Sequence, residues 1–200
     1  MSKLIRIPAV AAPRKYGWLV PGHNCTQLAY DLILRADCDI GILEVPNGSN
    51  RGTRIDAMAK RAGFPPPKDP KKEGPYWCAI ATGCWAADVG LMVPQGFALT
   101  DTWLPYVREG RWDARPRPGD FVVYGLRRKG PIVAWGDAHH IGLVVRIPEP
   151  HLGQAVTLTI EGNRSLAGTA SNNGIAVDIG PMARRDILGF VPPERLQAKA

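Results

Sequence analysis

The apolar residues of this chain change their spacing once, and that change governs what it can fold into. Ahead of the turn RPRPGD at 115–120 they recur every three or four residues; beyond it they recur every second residue. The first spacing lines one face of a helix and the second one face of a strand. Helices gathered ahead of strands, not alternating with them, imply an α+β fold with an antiparallel sheet. Leu28, Ala29, Leu32, Ile33 and Ala36 predict a helix that Thr26 can cap. Ile55, Met58, Ala59 and Ala62 predict a second over 53–62, with Thr53 and Asp56 suited to its start and Gly63 to its stop. A third begins at Trp77 or Cys78 and ends near Gly90. Trp77, Ile80, Ala81, Cys84 and Ala87 line one side of it, and the small Ala79, Gly83 and Ala86 the other. Such a helix belongs between two layers. A fourth is expected over 101–109, then five strands at 121–124, 140–147, 155–161, 175–179 and 187–191. The intervening GFPPPKDPKKEGP reads as an exposed basic loop.

With 200 residues, 45% of them hydrophobic and 22% charged, the chain has material for one soluble core. Its 22 Gly and 19 Pro make it loop-rich without making it low in complexity. There is no internal repeat and no linker, so we expect an irregular segment over 1–24, one domain over 25–195 and a tail over 196–200. No window approaches 18 consecutive apolar residues, which excludes a membrane-spanning helix. Arg6 and Pro8 interrupt the first apolar stretch, so a signal peptide is not expected and synthesis in the cytoplasm is.

The net charge is +7, with basic clusters at Lys68, Lys71 and Lys72, at Arg115 and Arg117, at 127–129, and at Arg184 and Arg185. Such a surface attracts polyanions. No nucleic-acid module accompanies it, so a specific nucleic-acid partner is not expected. Cys25, Cys38, Cys78 and Cys84 include no C-x-x-C pair, and Cys78 and Cys84 fall on different faces of one helix, so no disulfide framework is expected. His23, Cys25 and Cys38 match no standard zinc ligand set. No metal or cofactor is expected, and the protein is expected to be a monomer.

The strands flanking PEPHLG can be set in register by alternation. A hairpin centred on that loop pairs Ile141 with Ile160, Leu143 with Leu158 and Val145 with Val156, all apolar. It also sets His140 directly opposite Glu161, where opposed Cβ atoms lie about 4.5–5.5 Å apart and a carboxylate–imidazole bond can form. Asn163 follows two residues on. A surface ion pair at a sheet edge would have the same pattern.

Cys78 supplies a matching nucleophile. It opens the third helix, where free amides and the positive end of the dipole favour thiolate. Cysteine, histidine and an acidic or amide orienter make a set for nucleophilic acyl transfer. Most free cysteines are small buried hydrophobes, and Cys84, mid-helix on the apolar stripe, fits that description better than Cys78.

PYWCAIATGCW, RPGDFVVYG, HHIGLVV and TIEGN, in that order, resemble the four successive blocks of a CHAP domain, the cysteine, histidine-dependent amidohydrolase/peptidase group of the papain-like and NlpC-like cysteine peptidases. GILEVPNGSNRGTRID resembles the segment ahead of the cysteine block in phage-type and cell-wall-hydrolase members. The resemblance spans roughly residues 38–192. It implies a papain-like fold and cleavage of amide bonds in bacterial peptidoglycan, with Cys78 as nucleophile, His140 as base, Glu161 as orienter and Asn163 as auxiliary or alternative orienter. His139, whose parity puts it on the core face, is the weaker base. A longer segment between the first strand and His140, including 127–129, Trp135 and Gly136, departs from the family pattern, and no separate wall-binding module is visible. Attraction to anionic wall polymers is expected to take its place.

Two other readings compete. Cys25 in NCTQL also begins a helix and faintly resembles an NlpC-type nucleophile block, but another helix follows it where a strand and histidine should. A phage structural or wall-binding protein could also keep the fold without activity. An active protein would be a phage lysis protein, a virion-carried hydrolase or a secreted antibacterial effector.

Overall fold

The computed structural model describes residues 21–22, 25–69, 71–107, 115–125, 136–147, 156–164, 176–182 and 187–197. Nearly all of the 1–24 segment, the basic clusters at 127–129 and 184–185, Trp135, the PEPHLG loop and the last three residues lie outside them. The helices come first: α1 (Gln27–Asp37), α2 (Thr53–Arg61) and α3 (Cys78–Asp88). Thr26 caps α1, its hydroxyl accepting from the Ala29 amide at 3.1 Å. Thr53 does not cap α2 as expected; Gly52 holds that position at φ 150°, and Thr53 is the first helical residue. A Cβ on Gly52 would lie 3.1 Å from the Leu43 carbonyl, so the cap sits where only glycine passes beneath the preceding segment.

The expected fourth helix is instead a 3-10 stretch, Thr100–Tyr106, with Pro105 inside it. Proline has no N–H to give an α-helical ladder, so the segment tightens and ends. It remains tied to the sheet: the Ala138 amide donates to Asp101 Oδ1 at 3.1 Å, and Trp103 meets the Phe121 ring at a centroid distance of 5.1 Å.

Five strands follow, β1 (Phe121–Gly125), β2 (Ala138–Arg146), β3 (Leu158–Arg164), β4 (Ala176–Pro181) and β5 (Ile187–Val191), in the antiparallel order β4-β3-β2-β1-β5. This is the α+β arrangement the change of period requires. One face of the sheet, with Phe121, Val123, Ile141, Leu143, Val145 and Ile160, shares a core with Ile80, Ala81 and Cys84 of α3. The other carries Val122, Tyr124, Val144, Ile187 and Phe190. Helix α3 touches α1 and α2 on one side and β2 and β3 on the other, and every residue from Cys78 to Ala86 is buried. Its small side is needed, because a Cβ on Gly83 would fall 2.0 Å from the Phe97 ring.

The β2–β3 register differs from the expected one by two residues near the site and by three beyond an irregularity. Leu143 pairs with Ile160, Val144 with Thr159 and Arg146 with Leu158, with an irregularity between Val144 and Arg146. Val156, expected to pair with Val145, lies before the strand and is exposed. A slip of two preserves which face each residue takes, so alternation could not choose between the two registers. Space does choose: a Cβ on Gly142 would sit 2.5 Å from Glu161 Cγ, so Glu161 comes to rest against the glycine and not directly against His140. No helix among the described residues is long and apolar enough to cross a membrane.

Candidate active site

The turn that starts α3 is held from outside the helix. Trp77 occupies the N-cap position with φ −121° and ψ 8° and makes no side-chain cap. Its indole N–H donates to Glu44 Oε1 at 2.8 Å, and the other oxygen of that buried carboxylate accepts from the Asn50 amide at 3.0 Å. The segment upstream of the cysteine block therefore braces the peptide that presents Cys78. Thr82 returns its hydroxyl to the Cys78 carbonyl at 2.9 Å.

Across the site, His140 and Glu161 meet diagonally. His140 Nε2 lies 3.2 Å from Glu161 Oε2, and both side chains are buried. Diagonal neighbours on one face of a sheet are within reach of long side chains, so the expected pair forms although the expected register does not. The other ring nitrogen, Nδ1, is buried without a partner at hydrogen-bond geometry. It is the nitrogen left to serve Cys78, and their coupling in this conformation is chiefly one of charge.

The charges show that coupling. Burial pushes the Cys78 thiol up, but the His140 charge, with the amides of Ala79 and Ile141 around the sulfur, brings it below the ordinary thiol value. Burial opposes charge on His140 too, yet Cys78 and then Glu161 raise the imidazole to about 10. Glu161 is held down to about 2 against burial by His140, Arg164 and Thr159. The arrangement favours a thiolate–imidazolium pair with a carboxylate behind it, the state in which a cysteine attacks a carbonyl carbon.

The remaining candidates take other places. Asn163 is buried two residues beyond Glu161, with left-handed backbone at φ 57°. His139 is exposed, not on the core face: between Tyr124↔His140 and Gly125↔Ala138 the register shifts, and His139 is the residue left over. Cys25 is half-buried, with its thiol pushed up by burial. Cys84, pushed up to about 12 by burial, has the environment of an inert core thiol. All four cysteines are free. Among the described residues no three His, Cys, Asp or Glu side chains gather into a possible metal site; His23 lies outside them.

Sequence reasoning passed over Tyr124, Thr159, Arg164 and Glu44. The period of two puts Thr159 on the Glu161 face, and Tyr124 sits inside a quoted block, so both carried a signal. Glu44 lies inside the GILEVPNGSNRGTRID segment, but nothing in that string marked it as the partner of Trp77. Arg164 carried no signal, because the partners of both are set by chain segments that meet only in the fold.

No protein-family model matches the chain, and neither does any curated protein. Among solved structures, the peptidoglycan hydrolase RipB from Mycobacterium tuberculosis is similar at 17% identity, over 86% of this chain and 67% of that chain, with a TM-score of 0.48. That likeness is too distant to carry chemistry across.

Proposed function

We propose that the protein is a cysteine hydrolase that cleaves amide bonds of bacterial peptidoglycan, with Cys78 as nucleophile, His140 as acid and base, and Glu161 as the group that orients the imidazole. The observation that carries the reading is the buried cluster of Cys78, His140 and Glu161, in which His140 Nε2 meets Glu161 Oε2 at 3.2 Å and the His140 charge draws the Cys78 thiol below its ordinary value. The Cys78 thiolate attacks the amide carbonyl, and the free first-turn amides of α3 are the donors that would receive the oxyanion. The His140 imidazolium gives its proton to the departing amine, leaving a thioester. Neutral His140 then takes a proton from the water that attacks the thioester; collapse releases the acid, expels the Cys78 thiolate and restores the thiolate–imidazolium pair.

The substrate class is supported by the resemblance of the four sequence blocks to CHAP domains, and by a net charge of +7 suited to an anionic wall. Four free cysteines suit synthesis in a reducing cytoplasm and action on the wall after phage lysis, virion delivery or specialised secretion.

The test is mass spectrometry of soluble fragments from purified peptidoglycan incubated with wild-type protein and with Cys78→Ala. Fragments are expected from the wild type alone, and their masses separate cleavage at N-acetylmuramoyl–L-alanine from cleavage within the peptide. Equal fragments from both proteins would remove Cys78 as nucleophile; none from either, on walls of several bacterial types, would favour a binding or structural role.

A further inference from the structure

The carboxylate that meets His140 is itself held from behind. Glu161 Oε1 accepts from the Tyr124 hydroxyl at 2.8 Å and from the Thr159 hydroxyl at 2.6 Å, and Arg164 Nη1 stands 3.7 Å away. Arg164 Nη1 also donates to Thr159 Oγ1 at 3.2 Å. A hydroxyl has one proton, and of the two acceptors within reach of Thr159 the carboxylate at 2.6 Å is much nearer than the Gly180 carbonyl at 3.4 Å. The threonine that accepts from the guanidinium therefore gives its proton to the carboxylate. The guanidinium is anchored in turn: Nη2 donates to the Pro181 carbonyl at 2.7 Å, and Gly180 leaves it room, since a Cβ there would lie 2.7 Å from Nη2. Strict alternation would put Glu161 and Arg164 on opposite faces of β3. The left-handed backbone at Asn163, with the register irregularity between Glu161 and Arg164, breaks the alternation and brings them together. The Tyr124 ring lies over His140 at a centroid distance of 5.7 Å, so Tyr124 touches both members of the pair it bridges.

From this geometry we infer that Arg164, acting through Thr159, and Tyr124 are positioning residues, which keep Glu161 ionised and turned toward His140 Nε2 so that the ring offers Nδ1 to Cys78. The inference rests on the reading of Cys78, His140 and Glu161 as the reacting set. Charge counting gives its consequence. Thiolate, imidazolium, carboxylate and guanidinium together are neutral. Without the guanidinium the buried group carries one negative charge and takes up a proton at higher pH, on Cys78 or on Glu161, and the ion pair weakens either way. The groups facing Glu161 are His140 from β2 with Cys78 behind it, Tyr124 from β1, Thr159 and Arg164 from β3, and Asp178, which stands opposite it in the β4 register.

The experiment is the pH dependence of iodoacetamide alkylation, read on the Cys78 peptide by mass spectrometry, with the Cys25 peptide as internal reference. It needs no substrate. Wild-type Cys78 is expected to react with a midpoint below that of an ordinary thiol. Arg164→Met should raise that midpoint by about one to three pH units, Arg164→Lys should restore most of it, and Tyr124→Phe should raise it by about one unit, with Cys25 unmoved. Tyr124→Phe keeps the ring over His140 and loses only the hydroxyl, so it reports even where Arg164→Met does not fold. A low wild-type midpoint that neither Arg164→Met nor Tyr124→Phe displaces would overturn the inference and leave the reacting set standing, and so would Tyr124→Phe alone leaving it in place where Arg164→Met does not fold. A wild-type midpoint at the ordinary thiol value would overturn both. Displaced midpoints without wall fragments would uphold the positioning role and remove the proposed substrate.

Discussion

Gly142 has no side chain, and its neighbour across the sheet depends on that. A methyl at this position would lie 2.5 Å from Glu161 Cγ and 3.1 Å from its Cδ, so Gly142→Ala must push the carboxylate off its line to His140. Misplacement of a catalytic contact by about 1 Å costs on the order of a hundredfold in rate. Gly142→Ala is therefore expected to slow fragment release from the wall by about that factor and to raise the alkylation midpoint of Cys78; wild-type kinetics would show that Glu161 has another way round. The sequence pointed to His140, Glu161 and Cys78 because each stands at a position set by local rules: a strand face or a helix start. It could not point to Gly142, whose value lies only in what sits opposite, nor to Arg164, which reaches Glu161 because the backbone turns left-handed at Asn163. His139 and His140 look alike in the chain, and one irregularity between β1 and β2 exposes the first and buries the second.

Helix α3 fixes where the nucleophile stands, and it is gripped on both sides. Gly83 abuts the Phe97 ring, and a Cβ on Gly162 of β3 would lie 2.9 Å from Ala81 Cβ and 3.1 Å from the Trp77 ring. Overpacking of this kind costs about 1–3 kcal/mol. Gly83→Ala is expected to lower the melting temperature by several degrees, measurable by circular dichroism, because Phe97 must leave its place; an unchanged melting temperature would mean that the ring turns aside without cost. The layered burial of α3 was legible from its large and small sides, and so were the starts of α1 and α3. The 3-10 form of Thr100–Tyr106 was hidden beneath a helical pattern that Pro105 interrupts. The β2–β3 register escaped by two residues because a slip of two keeps each paired residue on the same face, and the fit of Glu161 against Gly142 separates the two registers.

The whole surface carries the net charge of +7, and in the described part Lys68, Lys71, Lys72, Arg115 and Arg117 are exposed. Fields from exposed charges fade over about 10 Å in 0.1 M salt, whereas the buried Cys78–His140 pair is screened much less. Raising salt from about 0.05 to 0.5 M should therefore release the protein from purified anionic walls in a sedimentation assay while leaving the alkylation midpoint of Cys78 nearly unmoved. Binding that persists at high salt would assign attachment to other contacts. The change of apolar period at 115–120 determined by itself that helices would cover an antiparallel sheet, since each period suits one kind of backbone and only burial on a common core satisfies both. Alternation likewise determined that His140 and Glu161 share a face. Tertiary structure alone decided the register that sets them diagonally, the brace of Glu44 on Trp77, and the approach of Arg164 to Glu161. Those contacts join residues distant in the chain or thrown off their expected face, and their geometry depends on how closely two backbones can pass, which no local pattern encodes.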